Sequence, residues 1–101
     1  MSETDPAPAE SGADESGLPP MPAPTLQTHV FHLASQVAMS LGHVENPVTG
    51  KKELDLRAAR FLVDTLAMLE EKTRGNRTDE EDTYVAGVLA DLRMKVVNAS
   101  S

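Results

Sequence analysis

Three histidines, one glycine-flanked lysine pair and one run of carboxylates are the residues here whose types and spacing could do chemistry. His29 and His32 stand three residues apart, which puts both imidazoles on one side of a helix. Two such nitrogens hold a transition metal when a third ligand converges on them. His43 is the only other histidine, and the chain has no cysteine. The expectation is two solvated surface histidines and no metal site, with a small metal-dependent or accessory enzyme subunit using His29 and His32 as the alternative function.

Gly42 followed by Gly50-Lys51 invites a phosphate-loop reading. That motif needs four residues between its glycines, then Lys and a hydroxyl residue, after a strand and before a helix. Here seven residues intervene, Lys52 stands where the hydroxyl belongs, and no apolar strand precedes. A polar exposed turn is expected instead. Asn76-Arg77-Thr78 and Asn98-Ala99-Ser100 match the glycosylation sequon, which has no consequence without a secretory route. Asp79-Glu80-Glu81-Asp82 cluster at a helix start, where no nucleophile stands beside a base and no pocket would perturb them. The chain is therefore expected not to be an enzyme and to need no cofactor.

These residues must be positioned by a short chain of 101 residues with a net charge of −7, 40% hydrophobic and 3% aromatic. One small domain is the expectation. Residues 1–24 hold six of the seven prolines and five carboxylates without a Lys or Arg. Such a segment buries too little apolar surface to offset its ordering entropy, so a disordered acidic tail is predicted. Removing its charge leaves eleven acids against nine bases in residues 25–101, a net of −2. No apolar run approaches the roughly 20 residues that span a bilayer, and the first residues lack the basic and apolar regions of a secretory signal. A soluble cytoplasmic protein that binds neither nucleic acid nor membrane is expected.

The periodicity predicts three helices. The first, over 26–41, repeats Leu26, Val30, Leu33, Ala34, Val37 and Leu41 on one face. Thr25 serves as its N-cap and Gly42 as its terminator. A connection of Asn-Pro and Thr-Gly turns follows, long enough to contain a short extended stretch. The second helix, over 56–74, starts at an Asp55 cap and ends at Gly75. Its broad apolar face is Leu56, Ala59, Leu62, Val63, Leu66 and Leu69, and Arg60 to Asp64 is a candidate i,i+4 pair. The third, over 79–97, opens on the capping box Thr78-Asp79-Glu80-Glu81 and carries Val85, Val88, Leu89, Leu92 and Val96, with residues 98–101 expected to fray. The fold class is all-α: a three-helix bundle, an αα-hairpin closed by an N-terminal helix, in a domain covering residues 25–98.

The Gly75-Asn76 corner resembles the joint of a DNA-binding helix-turn-helix. A recognition helix, however, presents base-reading groups at its N-terminal end, and this one presents four carboxylates that phosphates would repel. Two apolar features remain beyond the core faces. Phe61 and Met68 form a small stripe about a quarter-turn from the main face of the second helix. Ala86, Gly87, Ala90, Met94 and Val97 form a small-residue strip on the back of the third. A domain of about 75 residues with an aliphatic core has little stability to spare, so these six residues (Phe61, Met68, Ala86, Gly87, Ala90 and Met94) are the candidate interaction surface. The expected role is a non-catalytic protein–protein interaction or self-association module, acting as a homo-oligomer or on an unknown protein partner.

The stretch from Leu41 to Val97 also resembles a known bacterial group. Leu41-Gly42, the run Asn46-Pro47-Val48-Thr49-Gly50-Lys51-Lys52-Glu53-Leu54-Asp55-Leu56, then Ala59, Asp64, Leu66, Met68-Leu69, Glu71-Lys72-Thr73 and Gly75-Asn76 carry the likeness. Leu89, Asp91-Leu92-Arg93-Met94 and Val96-Val97 continue it, and Phe31, Leu33-Ala34 and Ala38-Met39 follow it more loosely upstream. These are similar to the domain-of-unknown-function family 1844. Arg77 stands where that family usually has an apolar residue, and Val97 where it often has an aromatic. The resemblance implies a bacterial, cytoplasmic, helical domain without an assigned activity. It makes Asn46, Thr49, Gly50, Lys72, Thr73 and Asn76 the turn residues to test. At 1.5 Å per residue the second helix separates the two turns by roughly 27–30 Å, so they would meet only across an antiparallel dimer.

Overall fold

The structure is a computed structural model that describes residues 17–100. The tail expected over 1–24 falls mostly on residues 1–16, outside the described residues; residues 17–25 are exposed. Three helices follow in order: α1 (Leu26–Ser40), α2 (Leu56–Lys72) and α3 (Asp79–Ser100), each touching both others. The fold is an all-α three-helix bundle, and no strand occurs among the described residues.

Each helix starts on a side-chain acceptor that satisfies a backbone N–H left free by the first turn. Thr25 is extended (φ −116°, ψ 164°), and its Oγ1 accepts from the Thr28 N–H at 3.0 Å. Asp55 Oδ1 accepts from the Ala58 N–H at 3.1 Å. At α3 the capping box is reciprocal: the Glu81 N–H donates to Thr78 Oγ1 at 3.1 Å, and the Thr78 N–H to Glu81 Oε1 at 2.9 Å.

The core lies where the apolar repeats meet. Val30, Leu33, Val37 and Leu41 from the first helix and its end pack with Ala59, Val63 and Leu66 of α2 and Val85, Leu89 and Leu92 of α3. Leu26, Ala34, Leu56, Leu62, Leu69, Val88 and Val96 pack around them, half buried. Among the described residues none of the buried ones is polar or charged, so the core itself holds no group that needs a partner to offset its desolvation.

Helix ends differ from expectation at three places. The first helix stops at Ser40 rather than residue 41, because Leu41 is its C-cap and bridges to Leu54. The second helix stops at Lys72 rather than residue 74, because Thr73 bonds back to Leu69 O through both its N–H and its Oγ1 and the chain then turns at Gly75 (φ +89°). The third runs to Ser100, past the predicted end at 97, and residues 98–100 do not fray. Ala99 packs on the core, Ser100 Oγ donates to Val96 O at 2.8 Å, and Arg60 Nη2 donates to Ser100 Oγ at 2.9 Å. Arg60 thus reaches across to α3 rather than down its own helix to Asp64. The expected extended stretch before α2 is one antiparallel bridge, Leu41 to Leu54, beside the Asp55 N–H donating to Ser40 O.

Candidate functional site

Candidate residues fall in four places, and the bundle keeps them apart. The first is the outer surface of α2. Ala59, Val63 and Leu66 mark the buried side, and at 100° per residue Phe61 and Met68 lie opposite them. They point outward rather than a quarter-turn from the core: Phe61 is 71% exposed and Met68 44%. Arg57, Asp64, Glu71 and Lys72 border this stripe and are exposed.

The second is the back of α3. Ala86, Gly87 and Ala90 are exposed there, and Met94 is 60% exposed. A Cβ built on Gly87 meets nothing within 4 Å, so no neighbour within the chain requires that glycine. Neither strip is covered by α1 or by the other helix, and both are surplus to the core.

The two turns form the third group and sit at opposite ends of α2. Asn46 organises the first: its Oδ1 accepts from the Val48 N–H at 2.8 Å, and its carbonyl accepts from the Gly50 N–H at 2.7 Å. Thr49 Oγ1 accepts from the Lys51 N–H at 3.3 Å. Gly50 takes φ +71°, a region side chains avoid. In the second turn Thr73 is engaged with Leu69 O, the Asn76 N–H donates to Thr73 O at 2.9 Å, and Lys72 is exposed. These contacts hold the turns in shape.

Sequence reasoning missed the residue that organises the second turn. The Arg77 side chain is only 9% exposed. Its Nη1 donates to Glu70 O at 3.0 Å, Nη2 pairs with Glu70 Oε2 at 3.3 Å, and Nε pairs with Asp82 Oδ1 at 2.6 Å. Arg74 takes the other Glu70 oxygen at 2.7 Å. The hydrogen bond from Arg74, with that from Arg77, holds the Glu70 carboxyl below its usual range despite some desolvation; the same contact raises Arg74. The only signal in the sequence was an arginine where the resembling family prefers an apolar residue.

The fourth place is the mouth between the starts of α1 and α3. Pro22, Phe31, His32 and Tyr84 line an open groove of about 460 Å³, and His29 with His32 lines its neighbour. Both imidazoles are exposed, and His43 lies at the other end of α1. Among the described residues no group of three His, Asp or Glu side chains could hold a metal ion. No helix among them is long and apolar enough to cross a membrane.

Comparison with known proteins places this arrangement. Residues 23–98 match the family described as Domain of unknown function (DUF1844). The chain belongs to this family. The match spans α1, α2, both turns and α3 up to residue 98, and its start falls two residues before the Thr25 cap. DUF1844 itself carries no assigned activity. No curated protein and no solved structure matches the chain.

Proposed function

We propose that this DUF1844 chain is a non-catalytic interaction module that self-associates or holds a protein partner through the outer faces of α2 and α3. The observation that carries the reading is the exposure of Phe61, Met68 and Met94 on helices whose opposite sides already fill the core. Exposed apolar stripes rimmed by charge are what protein interfaces offer before they are filled. The charged surroundings argue against nucleic acid as the partner, because α3 opens with Asp79, Glu80, Glu81 and Asp82. In the open grooves Thr28 Oγ1 accepts from Thr25 Oγ1 at 3.0 Å rather than pairing with His29 or His32, which supports a binding role over a catalytic one.

Sedimentation of the whole chain across a range of concentrations tests the reading, together with metal analysis of protein purified without chelators. A mass that rises with concentration, unchanged in His32→Ala, is expected. Stoichiometric metal retained through purification and lost in His32→Ala would overturn the module in favour of the metal-dependent alternative at His29 and His32.

A further inference from the structure

We infer that the mouth between α1 and α3 docks a basic segment of a partner protein, with an arginine side chain lying between Phe31 and Tyr84 and its guanidinium reaching Asp79 and Glu80. This goes beyond the reading above, because Phe61, Met68 and Met94 do not line the mouth. Tyr84 joins two hollows there. On one side Pro22, Phe31 and His32 complete the groove of about 460 Å³, and on the other Asp79 and Glu80 line a hollow of about 420 Å³. Helical spacing makes the second side, since Glu80 stands one turn before Tyr84 on the same face of α3. Phe31 is 57% exposed, next to the fully buried Val30, and its ring stands 6.2 Å from that of His32, tilted by 55°.

Charge decides what such walls hold. No Lys or Arg occurs in residues 1–50, and α1 carries no Asp or Glu either. Among the described residues no Lys or Arg lines either hollow. The fixed charges at the mouth are therefore the carboxylates of α3. Glu81 is engaged in the Thr78 cap and Asp82 by Arg77. Asp79 and Glu80 are exposed, and among the described residues their side chains have no ion-pair partner. The nearby Arg74 and Arg77 already hold Glu70 and Asp82. An aromatic face beside a free carboxylate attracts a cation twice, through the ring and through the charge. Arginine suits it better than lysine, because a planar guanidinium stacks on a ring while its N–H fork meets a carboxylate.

Tyr84 is the only tyrosine and the chain has no tryptophan, so tyrosine emission reports from the mouth itself. The full chain is titrated with a capped Ala-Arg-Leu-Arg-Ala peptide into the millimolar range. A saturable change in emission is expected, weaker with Lys in place of Arg and absent with Glu. Asp79→Asn combined with Glu80→Gln leaves the Thr78 and Glu81 cap in place, and should weaken binding about three- to tenfold, the scale of two exposed ion pairs. Phe31→Ser should weaken it about two- to fivefold, the scale of an exposed cation–π contact. The peptide series on the unaltered chain tests the charge argument without any variant. No saturable change, equal binding of the Arg and Glu peptides, or binding indifferent to all three substitutions overturns the site. So does an emission that shifts with protein concentration alone and no longer does so in Phe31→Ser, which gives the mouth to a second copy. An emission that shifts when residues 1–16 are removed gives it to the chain's own tail and overturns the site equally. Self-association through the outer faces is read by sedimentation, so either reading can fail without the other.

Discussion

Arg77 closes the corner between α2 and α3 by serving Glu70 twice, at its backbone carbonyl and at its carboxylate. The carbonyl contact replaces a missing backbone bond. At the end of α1 the Gly42 N–H donates to Met39 O and the His43 N–H to Ala38 O, the paired bonds of a Schellman turn. At the end of α2 the corresponding first bond exists, Arg74 N–H to Glu71 O at 3.3 Å. The Glu70 carbonyl, which the second bond would satisfy, takes Arg77 Nη1 instead. Arg77→Ala removes three contacts at once and is expected to lower unfolding stability by about 1.5–3 kcal/mol, the range for hydrogen bonds to charged groups. Lysine should recover less than half of the loss, since one ammonium cannot span a carbonyl and two carboxylates in fixed geometry. Urea denaturation of the three proteins measures this, and equal stability of Arg77→Lys and wild type would contradict it.

Glu70 should make stability depend on pH. Arg74 and Arg77 hold its carboxyl below the usual value of 4.5 in the folded chain. A carboxylate depressed by folding contributes stability that is full above its unfolded pKa and is lost as pH falls through its folded value. Glu70→Gln should therefore be less stable than wild type by a constant margin at neutral pH, with the gap shrinking once pH drops below 4.5. Paired melting curves at neutral and acid pH check the sign. A gap that widens on acidification would mean that the two arginines do not stabilise the charged form.

Much of this fold is legible in the amino-acid sequence, because its signals are local. Thr25, Asp55 and the Thr78/Glu81 pair each cap within three residues of themselves, and the apolar repeats predict the buried side of every helix. What sequence reasoning misses depends on distance through space. Arg77 reads as a surface turn residue until the corner brings Glu70 and Asp82 to it. Residues 98–100 read as a frayed end until Arg60, forty residues away, anchors Ser100. The outer stripes are visible as patterns, but whether the third helix covers them is a question of packing. For His29 and His32 the pattern alone shows that a third ligand is needed, and the bundle leaves His43 at the far end of α1.

Thr78 and Glu81 should behave as one unit. Each supplies the acceptor for the other's backbone N–H, so removing either leaves one donor of the first turn of α3 unsatisfied. Thr78→Ala is expected to cost about 1 kcal/mol, as for N-cap truncations generally. Because the two bonds orient one another, Thr78→Ala with Glu81→Ala should cost less than the separate losses combined. A double-mutant cycle by thermal or urea unfolding provides the readout, and strict additivity would show two independent caps.

Two glycines should respond to alanine in opposite directions. Gly42 has φ +79°, and a Cβ there would lie 3.4 Å from the Glu53 carbonyl oxygen. Alanine at that position meets both the left-handed backbone penalty of roughly 1–2 kcal/mol and a close backbone neighbour, at the point where Leu41 pairs with Leu54. Gly42→Ala should therefore destabilise by at least that amount. Gly87 sits inside α3 with ordinary helical geometry and open space around its Cβ. Alanine there gains helix propensity of about 0.8–1 kcal/mol and pushes on nothing within the chain. Gly87→Ala should raise the melting temperature of dilute protein, and urea midpoints of the two variants should move in opposite senses from wild type. The sign at Gly87 also reports on α3 as an interface. If Gly87→Ala stabilises the dilute chain but loses that advantage as concentration rises, another surface packs against the back of α3. If the gain persists at every concentration, the back of α3 stays open and Gly87 carries no contact.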